Sequence, residues 1–568
     1  MAATATATAS ERRWSAAFWA SAGASAAPFL LTRYPPFADL PEHVVAIATL
    51  ARLASGQDAG PYVVDASHSQ YLLYHAAGAA ITLVVGDAVL ASQLLVAAVA
   101  VAWSVAFRSL LRATGRDERL ALFAPMVFFN RALLMGFLPF VASVPLGLFA
   151  IGWTTRTFER PTLRRAAALG LFALALFYTH VSTYLLCLFI LAAWTGARLV
   201  TQRLAGGSAV SKRGATFVLG AALPSFACAL LWVSKGSLVR EPTLDVLGAA
   251  AISRMRIGET LLALPVWTFD MWTSHLDEVC AVVWWSAFAA VLVGRLRRTD
   301  RGDGEEHADG WLALVPFACA LLVCVLTPFR VGVATMLNVR LAPVLTLLAV
   351  VPLTLPRRRA TSVALAGVVA ATFVTSAAST HEMRSTSEEM VGDLDALLEH
   401  ARPGTRLVSL DFDRRSPRTQ YWPYVFAGSY HVARGGAVAA YSFAELPHWP
   451  IHYALGQAPP AKHEFWIFDP CAYRYEEDGA YYDYVLVHGD EDPFADAPGP
   501  PFLRVASSGK LTLYEKFAGP PARSRSRADA GPCRAALTAR RRAGGRPRLT
   551  RVHPVNTTRS VGVAPLAS

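Results

Sequence analysis

The segment Tyr34-Pro-Pro-Phe-Ala-Asp39-Leu-Pro-Glu42-His43 gathers two carboxylates and an imidazole into one short stretch. Asp39 and His43 are four residues apart, so on a helix they share one face. A carboxylate beside an imidazole can act as a general base or bind a divalent metal ion. Asp39 and His43 are therefore candidate catalytic residues, with Glu42 as a candidate for binding substrate. The same spacing has a plainer reading. Asp39-x-x-Glu42 is also a capping box, and Pro41 suits a first helical turn. Either reading predicts a helix over Leu40–Ser55, where Val44, Ile47, Leu50 and Leu53 recur at helical spacing and Gly56 ends the run.

A second set of polar residues sits in or beside apolar stretches: Asn130-Arg131, His180, Arg330, Asn338 and Arg340. Ionisable groups at bilayer depth are costly and point to function by default. The arginine fork suits a phosphate or pyrophosphate. Their plainer roles are Arg330 and Arg340 reaching lipid headgroups, and His180 as a turn histidine bonded to backbone. The segment 235–275 carries Arg240, Arg254, Arg256, Glu259, Trp267, Asp270, Trp272 and His275, which suits an interfacial aromatic belt better than a sugar site. Farther on, Tyr421-Trp422-Pro-Tyr424 and His448-Trp449-Pro-Ile-His452 can stack on sugars or fill a small core. No G-x-x-x-x-G-K-[ST] loop appears, and no G-x-G-x-x-G opens a helix. An ATP-driven pump is thereby disfavoured.

The elements that must position these residues follow from composition. The chain has 568 residues, 54% hydrophobic and only 17% charged, against about a quarter charged in a soluble protein. The deficit is concentrated in uncharged runs near the roughly 20 residues that cross a bilayer as a helix. Spans are predicted at about 14–32, 88–107, 120–136, 137–155, 164–180, 181–198, 214–234, 276–294, 310–327, 340–356 and 361–379. Arg12 and Arg13 precede the first, and basic clusters such as Arg108–Arg119 and Arg156–Arg165 fall in alternate connections. The remaining connections hold fewer basic residues over a greater total length, which places the N-terminus in the cytoplasm. The net charge of +12 is explained by this bias and by a basic tail, so nucleic acid is not expected as a partner. The stretch Tyr71–Val85 is laid along the outer interface, because a crossing there would invert every later loop. Seven cysteines without a C-x-x-C pair suggest no metal or disulfide framework. The expected architecture is an all-α polytopic membrane bundle of about eleven helices with a C-terminal periplasmic α/β domain. Its parts are a membrane domain over 1–380 with a long first outer loop at 33–87, the outer domain over 381–520, and a disordered basic tail over 521–568.

A short N-terminal segment, one span, and a long outer loop with an acidic residue near its start resemble the GT-C-type integral membrane glycosyltransferases. The resemblance covers about residues 14–380. It extends to the Tyr71–Leu90 stretch, the Gly136–Gly147 stretch (GFLPFVASVPLG) and the Arg340 start of a late span. Many members carry two adjacent acids in the first loop, whereas Leu40 follows Asp39 here, and the D-L-P-E-H form resembles an uncharacterised bacterial branch. The resemblance implies a polyprenyl-phosphate-linked sugar as donor, transfer on the outer face of the inner membrane, Asp39 as catalytic base or metal ligand, and Arg340 as a donor-phosphate binder. A divalent metal ion is a conceivable cofactor, and the acceptor is not specified. The rival expectations are a non-catalytic factor of the same fold in polysaccharide or lipid assembly, and a transporter. The lack of internal repeats speaks against transport.

Overall fold

The structure is a computed structural model. It describes residues 9–64, 69–204, 209–234, 252–299, 310–331, 334–355, 359–446, 448–460, 466–467, 469–474, 477–494 and 502–517. The basic tail over 521–568 and the whole 235–251 segment, including Arg240, lie outside the described residues.

Helix α1 (Ala9–Leu31) leads into α2 (Leu40–Ala54), the short strand β1 (Tyr62–Val64) and α3 (Leu72–Val85). Then come α4 (Ala88–Ala113), the single-turn helices α5 (Ala124–Val127) and α6 (Arg131–Leu134), α7 (Leu138–Glu159), α8 (Leu163–Phe177), α9 (Val181–Leu204) and α10 (Ala209–Ser234). Strand β2 (Ile252–Ser253) precedes α11 (Ile257–Phe269), α12 (Leu276–Thr299) and α13 (Val315–Leu326). Strands β3 (Arg330–Val331) and β4 (Ala334–Thr335) form a small antiparallel sheet with β2 before α14 (Ala342–Val350) and α15 (Arg359–Met390).

Six helices among the described residues are long and apolar enough to cross a membrane, within α4, α7, α9, α10, α12 and α15. We therefore read the chain as a multi-pass membrane protein. Large apolar side chains face outward on these helices: Leu223 is 63% exposed, Leu231 62% and Val282 66%. Lipid tolerates such surfaces and water does not. The predicted span 14–32 falls on α1, one continuous helix of 23 residues, while the remaining predicted spans are shorter or broken. The clearest correction is 120–136, which is a 3₁₀ helix (Glu118–Phe123) followed by α5 and α6. Asn130 explains the break. Its Oδ1 accepts from the Leu133 amide at 3.1 Å, and its Nδ2 donates to the Val127 and Phe128 carbonyls at 3.1 and 2.9 Å. A side chain that satisfies backbone groups replaces helical hydrogen bonds. Residues 120–130 are buried throughout, and irregular backbone at membrane depth is tolerated where protein surrounds it.

The C-terminal region adds α16 (Leu394–Glu399), β5 (Arg406–Asp411), α17 (Ser429–Ala433), β6 (Val438–Ala439), β7 (Ile451–Tyr453), β8 (Tyr484–His488), β9 (Phe502–Ser508) and β10 (Leu511–Lys516). Its five-stranded sheet has the order β6-β5-β8-β10-β9, with β5 parallel to β6 and β8, and β10 antiparallel to both its neighbours. The predicted boundary at 380/381 falls inside α15, which runs unbroken into this region. Gly392 ends that run at φ +56°, where a Cβ would meet the Gly509 amide at 2.6 Å. The connection between α1 and α4 joins the same unit: β1 pairs with β7, Tyr62 opposite Tyr453 and Val64 opposite Ile451. One hydrophobic core continues from the bundle through Tyr424, Leu407 and Tyr484. Cys471 is disulfide-bonded, contrary to expectation, because cysteine pairing is decided by tertiary proximity and local spacing gave no sign of it.

Candidate functional site

The segment leading to Asp39 is held at both ends. Arg33 Nε lies 2.5 Å from Asp395 and its Nη2 lies 2.9 Å from Asp87. The Tyr34 hydroxyl donates to Asp395 at 2.8 Å, and the Tyr424 hydroxyl donates to the Tyr34 carbonyl at 2.6 Å. Downstream, the Ala38 and Asp39 amides donate to the Leu134 and Met135 carbonyls, each at 3.3 Å. Gly136 makes this approach possible. Its φ is +81°, and a Cβ there would sit 2.7 Å from the Asp39 nitrogen.

Asp39 stands at the N-cap position of α2, yet its side chain makes no capping hydrogen bond. Its carboxylate has no hydrogen-bond partner among the described residues and keeps partial exposure. Its charged neighbours are Arg340 and Glu42, and the Tyr421 ring of the C-terminal region also feels its charge. Burial pushes the Asp39 carboxyl up to about 7, against the opposing pull of Arg340. Arg340 turns inward: its guanidinium sits 3.7 Å from the Phe137 ring centroid and donates to the Thr335 carbonyl at 3.2 Å. Its buried Nε has no partner among the described residues. Tyr71 lies beside Arg340, with its ring 5.2 Å from His180 and 5.1 Å from His448. Asp39, Tyr71, His180, Arg340, Tyr421 and His448 thus form one neighbourhood built from six separate parts of the chain. His180 also fills its plainer role, since its Nδ1 accepts from the Ser182 amide at 3.3 Å.

Other predicted site residues are engaged elsewhere. Glu42 does not reach back to cap α2. It accepts from the Ser429 hydroxyl, from the Ser442 hydroxyl at 3.1 Å and from the Phe443 amide at 2.6 Å, all in the C-terminal region. The capping-box reading therefore fails for both members, and the substrate-binding role expected of Glu42 has no free oxygen to serve it. Glu42→Ala is expected to destabilise the protein by about 3 kcal/mol, because it strands three buried donors; thermal unfolding in detergent measures this. His43, expected as a base, has both ring nitrogens in contact, with the Gly136 carbonyl and with His75. Arg131 is paired with Asp270 at 2.5 Å, and their side chains are 11% and 9% exposed. It is thus a tie between α6 and the α11–α12 connection. Arg131→Met leaves a buried carboxylate alone and is expected to cost about 3 kcal/mol of stability, read by the same assay. Arg330 lies on β3, and the Asn338 amide reaches Met255 Sδ at 3.9 Å.

Among the described residues no group of three or more His, Cys, Asp or Glu side chains is arranged to hold a metal ion. A recess of about 650 Å³ lies at the opposite end of the bundle beside Arg108, Arg112, Asp117, Glu118 and Arg119. Those charges pair with one another, Arg108 and Arg112 on Glu118 and Arg119 on Asp117, which makes the recess a charged loop basin. Sequence reasoning missed His75 and the approach of Tyr421 and His448 to the loop. The H-W-P-x-H run was the available signal for His448, and His75 gave none.

No protein-family model and no curated protein matches this chain. Among solved structures it is similar to ArnT from Cupriavidus metallidurans in the apo state, at 12% identity and a TM-score of 0.49, over 90% of this chain and 100% of that one. It is also similar to the arabinofuranosyltransferase AftD from mycobacteria, at 15% identity and a TM-score of 0.40, over 89% of this chain and 41% of that one.

Proposed function

We propose that this protein is a membrane glycosyltransferase that moves a sugar from a polyprenyl-phosphate donor to an acceptor hydroxyl at the outer face of a bacterial inner membrane. One observation carries the reading: among the described residues, a carboxylate without a hydrogen-bond partner, Asp39, stands beside a half-buried arginine, Arg340, whose Nε is also unpartnered. In this reaction Asp39 takes the proton of the acceptor hydroxyl. The acceptor oxygen bonds to the anomeric carbon as the bond from that carbon to the donor phosphate breaks. The electron pair leaves on the phosphate, where the arginine fork meets the developing charge. Tyr421 and its stacked neighbour Trp422, 5.4 Å between centroids, offer an aromatic face to the sugar. The disulfide at Cys471 supports an oxidising, outer compartment for the C-terminal region.

The reading is tested with purified protein in lipid, supplied with a panel of polyprenyl-phosphate sugars. Absence of turnover on every donor would favour a non-catalytic assembly factor of the same architecture. The carboxyl also sets a pH dependence. A base raised to about 7 is protonated and idle below that pH, so kcat/KM is expected to climb through pH 7 and level off above it. A flat profile from pH 5 to 8 would contradict Asp39 as the base.

A further inference from the structure

Behind Asp39, three contacts run in line between α2 and α3. His43 Nε2 is 2.9 Å from the Gly136 carbonyl oxygen, His43 Nδ1 is 2.9 Å from His75 Nε2, and His75 Nδ1 is 2.6 Å from the Tyr71 carbonyl oxygen. The two rings are 22° from parallel with centroids 5.2 Å apart. Combined with the 2.9 Å nitrogen contact, this is an edge-to-edge arrangement. Both residues are buried, at 3% and 0% exposure.

Proton counting decides what these contacts are. A carbonyl oxygen only accepts, so Gly136 requires a proton on His43 Nε2 and Tyr71 requires one on His75 Nδ1. Two neutral imidazoles carry two protons, and both are then assigned. The facing nitrogens, His43 Nδ1 and His75 Nε2, would meet lone pair to lone pair. Moving either proton inward only transfers the repulsion to a carbonyl. A third proton between the rings satisfies all three contacts and leaves one positive charge on the pair.

We infer that His43 and His75 share one extra proton, and that the charged pair braces the Met135–Phe137 turn against which Asp39 is held. His75 is thereby a positioning residue, acting through His43 and Gly136; its catalytic consequence rests on the reading of Asp39 given above, but the proton and the brace do not. Burial by itself pushes both imidazoles toward the neutral form. The geometry opposes this, because both carbonyls belong to ordered backbone, one in the Gly136 turn and one at the start of α3. The titratable and charged groups on the elements packed around the pair are Asp39 and Glu42 on α2, Tyr71 and Tyr74 on α3, Arg131 on α6, and His180, Arg340 and His448 beside Tyr71. None of them hydrogen-bonds either ring through its side chain among the described residues. Trp449 packs on both rings, at 5.1 and 4.8 Å, and keeps water from the pair. The charge is lost as pH rises, and the brace loosens with it.

The test is solid-state NMR on the full-length protein in lipid, labelled with ¹⁵N-histidine and ¹³C-aspartate. At pH 7 the signals removed by His43→Gln and by His75→Gln are expected to include an imidazolium pattern with an N–H···N coupling, lost on titration to higher pH. Two neutral patterns at pH 7 in the unsubstituted protein overturn the shared proton. The Asp39 carboxyl signal, assigned by its disappearance in Asp39→Asn, is expected to shift or broaden in His75→Gln. An unchanged signal overturns the brace. Neither readout uses turnover, so failure of this inference and failure of the proposed reaction are told apart.

Discussion

Asp39→Asn is expected to lower sugar transfer by about 10²–10⁴-fold, the range supplied by a positioned general base, while leaving the unfolding temperature nearly unchanged. The pairing of these two outcomes is what makes the substitution informative. A capping aspartate replaced by asparagine keeps its acceptor oxygen, so both activity and stability would survive. Here the Asp39 side chain caps nothing, and the helix start is held instead by backbone bonds to Leu134 and Met135. Stability is therefore insulated from the side chain and activity is not. Turnover equal to that of the unsubstituted protein would move the base elsewhere.

The second large effect is at Arg340. Arg340→Ala is expected to reduce kcat/KM by about 10²-fold or more, since it removes the charge that meets the leaving phosphate. Arg340→Lys is expected to recover only a minor part, because a lysine is a point charge that cannot reproduce a planar fork or lie flat against Phe137. The guanidinium there sits 3.7 Å from the ring centroid. The loss should appear in kcat as well as KM if the contact strengthens as the bond to phosphate breaks. A variant that raised KM alone would make Arg340 a ground-state binder of donor. The second effect also bears on the first: without a cation at position 340 the Asp39 carboxyl loses an opposing charge that lowers it, so the activity profile of Arg340→Ala should shift to higher pH, whereas Arg340→Lys, which keeps the charge, should shift less.

Much of this organisation was legible before any coordinates. The helices α4, α7, α9, α10, α12 and α15 coincide with predicted spans, because an uncharged run of sufficient length has few ways to satisfy its backbone in lipid. The break at Asn130 was not legible. Hydropathy averages over a window, and residues 120–136 are apolar enough to pass for a helix. What interrupts them is the geometry of one amide side chain. Short β-like runs are also legible at Thr405–Asp411, Tyr484–His488 and Lys510–Glu515, where β5, β8 and β10 form, but the order of the C-terminal sheet and the pairing of β1 with β7 are not.

For the site the division is sharper. The sequence alone determined that Asp39 follows the first span on a loop, that a helix begins immediately after it, and that Arg340 opens a late apolar segment. These are properties of residues within a few positions of one another, set by periodicity, proline and charge. Only the tertiary structure decided which side chain goes where. Glu42 meets Ser429 across 387 positions, His43 meets His75 across 32, and Arg131 meets Asp270 across 139. No local pattern encodes such pairs, because the energy that selects them is the cost of leaving a buried polar group without a partner, and which groups become buried together is known only once the helices have packed.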